Sequence, residues 1–301
     1  MKIFLTGSEG FLGSHLKQTL TAQGHELTLS NRSQNNLEDY FSLETLGKSI
    51  VFDVIIHLAV KTKAGGYSQK YPGSQFLTNQ LININILHYW VRYQPQALMV
   101  TMGSSCVYDE NLKEKTPEKY LEGTPEKEYE AYANVKKSLL VGLMSLEKEH
   151  GMKYHYYIPT SFYGEGYSLS DRHFIFDLIQ KICEAKIHKK EPVVLWGDGE
   201  QKRDLVYVKD AADIITSGLM NTDKFFVKNL SSGKELSIKE YAKVICDHVG
   251  YDFSSIEFDF KKSSGVRSRN LITSFSDYDF LEIKEGIIRT TRYYLKTAHC
   301  T

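Results

Sequence analysis

The stretch Lys2-Ile3-Phe4-Leu5-Thr6-Gly7-Ser8-Glu9-Gly10-Phe11-Leu12-Gly13 decides the fold. A short apolar strand runs straight into glycines spaced G-x-x-G-x-x-G. A helix carrying Leu12, Leu16 and Leu20 follows, as far as about Gln23-Gly24. The glycine spacing has meaning because it stands between a strand and a helix. Glycines permit a tight turn and close backbone approach, and the amino end of the helix offers free N–H groups to a pyrophosphate. Residues Gly7, Ser8, Glu9, Gly10, Phe11, Leu12 and Gly13 are therefore expected to cradle a dinucleotide.

Outward from that turn, strand and helix alternate. His25 to Ser30 is a second strand, ending in Asn31-Arg32-Ser33. An acidic residue at this place suits the adenosine ribose of NAD, whereas an arginine suits the extra phosphate of NADP. Asp53 to Val60 is a third strand, which leads into a loop rich in glycine and lysine, Lys61 to Pro72. Phe76 to about Arg92 has helical spacing in Leu77, Leu81, Ile84 and Leu87-His88, interrupted by Asn79 and Asn85, which read as solvated.

Ala97 to Met102 reads as a buried central strand closed by Gly103-Ser104-Ser105-Cys106-Val107-Tyr108. If the extended path continues, Ser104 and Cys106 face one side together. The place is the carboxyl end of a parallel strand, where open α/β sheets bind ligands. The alternative is a tight turn with a small core cysteine. A polar segment, Asp109 to Glu128, contains Pro117 and Pro125 and reads as a surface excursion. The next helix, about Glu130 to Glu149, carries Tyr132 and Lys136. Four residues apart, they share a face, so the ammonium can lie beside the phenol and favour its ionised form. An ordinary surface pair is the alternative. Tyr154 to Ile158 is another strand, closed by Pro159-Thr160-Ser161-Phe162-Tyr163-Gly164. The alternation predicts an α/β fold with a doubly wound (Rossmann) parallel sheet.

Beyond Glu165 the pattern loosens into a smaller, mixed carboxy-terminal lobe. It has a helix of about His173 to Ala185, a strand at Val193 to Trp196 with a turn at Gly197-Asp198-Gly199, and helices near 209–221 and 237–249. Phe225 to Leu230 is a strand, a short strand lies near Ile256, and the last helix spans about Lys284 to Lys296. The expected division is a cofactor domain over 1–165, with 204–231 returning to it, and a substrate lobe of 166–203 and 232–301. Its arginines and Trp196 suit a nucleotide and a diphosphate.

The 37 basic and 37 acidic residues cancel, which argues against a nucleic-acid or membrane-surface binder. No run reaches the roughly 18 apolar residues of a membrane helix, and the opening residues look like a strand rather than a signal peptide. Cys106, Cys183, Cys246 and Cys300 are scattered, with neither metal-ligand spacing nor a disulfide framework. A cytoplasmic protein with no metal is expected.

The glycine turn, the strand-end serine and the Tyr-x-x-x-Lys helix, in this order, resemble the extended short-chain dehydrogenase/reductases (the NAD-dependent epimerase/dehydratase family). The resemblance covers the whole chain. Within that superfamily the chain most resembles the GDP-L-fucose synthases, NADPH-dependent 3,5-epimerase/4-reductases of GDP-4-keto-6-deoxymannose. The matching residues are Lys61, Ala64-Gly65-Gly66, Tyr71-Pro72, Asn79, Asn85-Ile86, Gly103 to Tyr108, Pro159-Thr160, Tyr163-Gly164, His173, Trp196 to Gly199 and Arg203-Asp204. The resemblance implies that Tyr132 protonates O4 as hydride from NADPH reaches C4. Lys136 would hold the nicotinamide ribose and keep the tyrosine pKa low, and Ser104 would hydrogen-bond the same oxygen. Cys106 and His173 would move protons at the carbons flanking the ketone.

It also implies NADP(H) contacts from the glycine turn and from Asn31, Arg32, Ser33, Leu58, Ala59, Lys61, Asn79, Met102, Gly103, Lys136, Pro159, Phe162 and His173. A nucleotide-sugar, GDP-linked by the same resemblance, would meet Ser104, Ser105, Tyr132, Lys181, Trp196 and Arg203. A homodimer through the Tyr-x-x-x-Lys helix and its neighbour is implied as well. Two positions depart from the family: Glu9 stands where it has an arginine, and no substrate-binding aspartate matches near Ser263-Ser264-Gly265. A plain 4-reductase or 4-epimerase is the first rival reading, and a catalytically silent NADP sensor the second.

Overall fold

A computed structural model describes residues 1–30, 35–63, 66–170, 173–188, 192–221, 225–262 and 266–298. The expected NADP-selecting residues Asn31, Arg32 and Ser33 lie outside the described residues, as do Ala64-Gly65, Ser263 to Gly265 and Cys300. The strands are β1 (Lys2–Thr6), β2 (Glu26–Ser30), β3 (Val54–His57), β4 (Leu98–Met102), β5 (Tyr154–Pro159), β6 (Ser161–Tyr163), β7 (Val194–Trp196), β8 (Lys202–Tyr207), β9 (Phe226–Leu230), β10 (Glu235–Ser237) and β11 (Glu257–Asp259). The helices are α1 (Phe11–Ala22), α2 (Tyr40–Ser49), α3 (Tyr67–Lys70), α4 (Pro72–Tyr93), α5 (Glu130–His150), α6 (Phe174–His188), α7 (Val208–Gly218), α8 (Ile238–Val249) and α9 (Ile283–Ala298).

Six strands form an all-parallel sheet in the order β2-β1-β3-β4-β5-β9. Its central strands are continuous apolar runs because both faces are covered. Successive side chains alternate between two cores. Phe4, Ile55 and Met99 pack with Ile82, Ile86 and Leu139 on the side of α4 and α5. Ile3, Leu5, Val54 and Val100 pack with Leu16, Ala211 and Ile215 on the side of α1 and α7. A third core joins α6, α8 and α9 to Tyr163, Leu195 and Tyr207. This is the doubly wound α/β sheet expected, with a smaller mixed lobe beside it built on the sheets β10-β8-β6 and β11-β7. Among the described residues no helix is long and apolar enough to cross a membrane.

One expectation is corrected. In α4, Leu77, Leu81 and Ile84 are exposed, at 69%, 43% and 59%, while Gln75, Asn79, Asn83 and Asn85 are buried. The asparagines are not solvated: Asn85 Nδ2 donates to the Leu37 carbonyl at 2.9 Å, and the amide of Asn79 clasps the backbone of Lys61. The segment 109–128 runs largely over the surface, as expected, but it is anchored at a few buried positions. Tyr120, Lys115 and Glu126 are buried, and Lys115 pairs as an isolated bridge with Leu271 of the carboxy-terminal lobe. Asn229 at the end of β9 ties this segment down, accepting from Tyr108 Oη at 2.6 Å and donating to the Lys115 and Ile272 carbonyls.

Candidate active site

The glycine turn is built so that side chains would block it. Gly7 has φ +70°, and a Cβ there would stand 2.8 Å from the Ala59 nitrogen. A Cβ on Gly13 would be driven into the Gly7 carbonyl, so the third glycine lets α1 pack on the turn. Gly10 caps α1 with no side-chain cap, and the first turn holds no acidic residue. Its N–H groups and the positive end of the helix dipole are therefore free for an anion. That cradle fits a dinucleotide pyrophosphate. Ser8 is buried and Glu9 exposed. Phe11 meets Phe176 of α6 edge-on at 5.7 Å, joining the turn to the second lobe.

Beside the turn lies a network that sequence reasoning missed. Thr6 Oγ1 accepts the N–H groups of Leu58 and Ala59, both at 3.1 Å. Its own proton therefore goes to His57 Nδ1, 2.9 Å away, and His57 donates through Nε2 to Asn83 Oδ1 at 3.1 Å. Burial pushes the His57 pKa down to about 4, so the ring is neutral. The Leu58 and Ala59 backbone is thus set by a buried histidine. Lys61 follows, held from both sides of its peptide by Asn79 at 2.7 and 3.1 Å. Asn79 acts on that loop.

At the end of β4 the extended path stops at Met102. Ser104 is still extended, but Ser105 to Val107 form a 3-10 turn. Strand alternation does not bring Ser104 and Cys106 together; the turn does, with Ser104 Oγ 3.1 Å from Cys106 Sγ. Cys106 is buried, and desolvation raises its pKa, opposed by Arg269 and by the Ser104 hydrogen bond.

Tyr132 and Lys136 share the inner face of α5, as their spacing predicts. Lys136 Nζ lies 5.7 Å from the centre of the Tyr132 ring and donates to the Met102 carbonyl at 2.9 Å. It thereby joins α5 to the strand end. Burial, not the ammonium, governs the phenol: Tyr132 is pushed above the ordinary tyrosine value and keeps its proton. Burial lowers Lys136 to about 8. The expected depression of Tyr132 by Lys136 is therefore not found in this arrangement.

The remaining expected residues are carried by β5 to β8 and α6. Pro159 ends β5 and Phe162 lies in β6, both half-buried. His173 is exposed at the amino end of α6, where its carbonyl accepts the Asp177 N–H at 3.0 Å. Lys181 pairs with Asp177 at 2.7 Å. Trp196 is exposed, with Lys262 Nζ 5.7 Å from its ring centre. Arg203 donates to the Lys202 and Val266 carbonyls. A small cavity brings Ser105 and Arg203 together with Thr160, Ser161, Asp204 and Arg269.

Arg269 was legible only as part of a basic stretch. It makes a bidentate pair with Glu126, both bonds at 2.8 Å, and its remaining nitrogen reaches toward Ser105 Oγ. Glu126 N in turn donates to the Cys106 carbonyl at 3.3 Å. Among the described residues no cluster of His, Cys, Asp and Glu could hold a metal ion.

Residues 3–226 match the NAD dependent epimerase/dehydratase family. The chain is 28% identical to GDP-L-fucose synthase of Escherichia coli (strain K12), over 98% of this chain and 97% of that one. It is 27% identical to GDP-L-colitose synthase of Yersinia pseudotuberculosis, over 98% of each. A crystal structure of a GDP-L-fucose synthetase from Naegleria fowleri bound to NADP superposes with a TM-score of 0.85 at 20% identity, covering 99% of this chain and 95% of that one. A match over residues 3–226, on a sheet that carries the glycine turn and the Tyr132–Lys136 helix, settles the kinship: the chain belongs to the NAD dependent epimerase/dehydratase family.

Proposed function

We propose that the protein is an NADP(H)-dependent epimerase/reductase of a nucleotide-linked 4-keto-6-deoxy sugar, with GDP as the nucleotide. The observation that carries this reading is the pairing of Ser104 and Cys106 at 3.1 Å, at the strand end that Lys136 holds through Met102. Serine, tyrosine and lysine suffice for a reductase. A thiol beside the serine adds a group able to move a proton at carbon. The relatives named for GDP-L-fucose and GDP-L-colitose synthesis support the nucleotide and the sugar class.

The glycine cradle at Gly7 to Gly13 fits the pyrophosphate of NADP(H), with Leu58, Ala59, Lys61, Met102, Gly103, Pro159 and Phe162 lining the path from it. Arg32 would select the extra phosphate. When bound, NADPH supplies the hydride for C4. Tyr132, protonated at rest, gives its proton to O4, and Ser104 donates a hydrogen bond to that oxygen. Lys136 keeps the strand end and the tyrosine helix together and offers its ammonium to the nicotinamide ribose. A 4-ketone acidifies its neighbouring C–H bonds, so Cys106 and His173 serve as the pair that removes and returns protons there. Lys181, Trp196, Arg203 and Ser105 hold the nucleotide-sugar. We place the cofactor domain at 1–165 with 204–231, and the substrate lobe at 166–203 and 232–301.

Exposed Leu77, Leu81 and Ile84 on α4 and Val141 and Met144 on α5 favour a homodimer through these two helices. Light scattering should report twice the chain mass, and a monomer would overturn that part. A plain 4-reductase is the second reading, favoured by the raised pKa of the buried Cys106. The deciding experiment is NADPH oxidation against a panel of GDP-, UDP- and dTDP-linked 4-keto-6-deoxy sugars. GDP-linked substrates should turn over fastest. Oxidation with none of them would sink the proposal.

A further inference from the structure

Two fully buried tyrosines, Tyr120 and Tyr156, stand behind the strand end and have no part in the proposed chemistry. Ser104 N donates to Tyr120 Oη at 3.0 Å, the two tyrosine hydroxyls are 3.2 Å apart, and Tyr156 Oη donates to the Lys136 carbonyl at 2.9 Å. Each phenol has one proton. That of Tyr156 goes to the carbonyl, so Tyr120 must donate to Tyr156 while accepting from Ser104. Every direction in the chain is determined. The side chain of Lys136 then returns to the Met102 carbonyl at 2.9 Å. Met102, Gly103 and Ser104 close the loop covalently.

The result is a hydrogen-bonded ring that holds the backbone of Ser104 to the backbone of Lys136, one helical turn from Tyr132. Burying two hydroxyls costs free energy unless they are paired, and here each has found its partners. Burial also raises both phenols above the ordinary tyrosine value, so their protons stay in place across the working pH range. The chain ends on an amide carbonyl, which takes up no proton, so it does not conduct protons to solvent. Gly103 is part of the same device. A Cβ there would lie 2.6 Å from Tyr120 Oη and 2.6 Å from Tyr156 Cε1.

We infer that Tyr120 and Tyr156 are positioning residues that fix the separation between Ser104 and the Tyr132–Lys136 helix. The inference rests on the reductase reading above. It is tested with Tyr120→Phe, Tyr156→Phe and the double variant, by single-turnover NADPH oxidation with saturating GDP-4-keto-6-deoxymannose. Each single variant should slow hydride transfer about 10- to 100-fold, the penalty of a misplaced reacting group. NADPH affinity, read by its fluorescence, should stay within about twofold. The double variant should be no slower than the slower single one, because all three break the same ring.

A folded Tyr120→Phe enzyme with a rate within about twofold of the parent would overturn the inference. So would losses that multiply in the double variant, or losses matched by weaker NADPH binding. If Tyr120→Phe does not fold, Tyr156→Phe reads the same ring from its other end. A parent enzyme that oxidises NADPH with no nucleotide-linked 4-keto sugar overturns the functional reading and this role together. An active parent with unaffected variants overturns the positioning role alone.

Discussion

Ser104 Oγ lies 3.1 Å from Cys106 Sγ, and the contact is made by a 3-10 turn that brings residues two apart onto one side of the strand end. Burial raises the thiol pKa, while the Arg269 guanidinium and the Ser104 hydroxyl pull it back. A thiol so placed holds its proton at rest and has a hydroxyl ready to stabilise it when the proton leaves. The same hydroxyl is proposed to face O4 of the substrate. Reduction and proton movement at carbon would then share one polar group but not one acid.

That separation is testable with two substitutions. Cys106→Ser should abolish deuterium incorporation from solvent at the carbons next to C4, by a factor of about 100 or more, with NADPH binding intact. Tyr132→Phe should instead stop C4 reduction while exchange remains measurable. Unchanged exchange in the cysteine variant would leave a plain reductase, and surviving reduction in the tyrosine variant would mean another acid.

Lys136 has a pKa lowered to about 8 by burial. The unfolded chain has its lysine near 10.4. Between those values the unfolded state holds more protons than the folded one, so stability rises with pH across the window. Below pH 8 the full cost is present, on the order of 3 kcal/mol from the difference in pKa. Lys136→Met should therefore gain most over the parent near pH 7, with the gain shrinking toward pH 10. Urea unfolding of both proteins at several pH values measures it. A gain that does not change with pH would contradict the buried ammonium.

Which parts of this site could be read from residues alone follows from how local their causes are. The glycine turn was legible because its spacing and its place between strand and helix are both local. Tyr132 and Lys136 were legible because helical geometry puts residues four apart on one face. Ser104 and Cys106 were paired for a different reason than the one that holds, since alternation fails where the strand ends. Tyr120 sits in a prolyl, polar segment that reads as surface, and only the third dimension buries it. In α4 Leu77, Leu81 and Ile84 face outward, while the asparagines face inward with Ile82 and Ile86, where loop carbonyls and His57 need partners. Hydrophobic periodicity reports a helix, but not which side another surface covers.

His57 gives an acid-side counterpart. Its pKa is about 4 in the fold, against an ordinary value of 6.5, because burial disfavours the charged ring. Between pH 6.5 and 4 the unfolded chain binds the extra proton, so stability falls as pH drops through that window. The parent should lose about 2 kcal/mol from this residue between pH 7 and 5. His57→Gln should lack that slope, and its denaturation midpoints at the two pH values should differ less than the parent's. Equal slopes would place the acid sensitivity elsewhere.

Glu126 and Arg269 meet across 143 residues of sequence, with side-chain exposures of 8% and 21%. Removing one member of a buried pair leaves the other charge uncompensated, which costs about 3–5 kcal/mol. The partial exposure of Arg269 puts the expected loss for Arg269→Met near the low end, about 3 kcal/mol. Glu126→Gln/Arg269→Met should recover most of it, because neither charge is then stranded. Arg269→Met should also raise the Cys106 pKa, since the guanidinium is the first of the groups that lower it. Thiol alkylation against pH, with Cys106→Ser as the baseline for the other cysteines, reads that shift. If the double variant were as unstable as the sum of the single ones, the pair would not be compensating buried charge. A thiol titration unmoved in Arg269→Met would separate Arg269 from the proton movement proposed for Cys106, leaving it only the fold to hold.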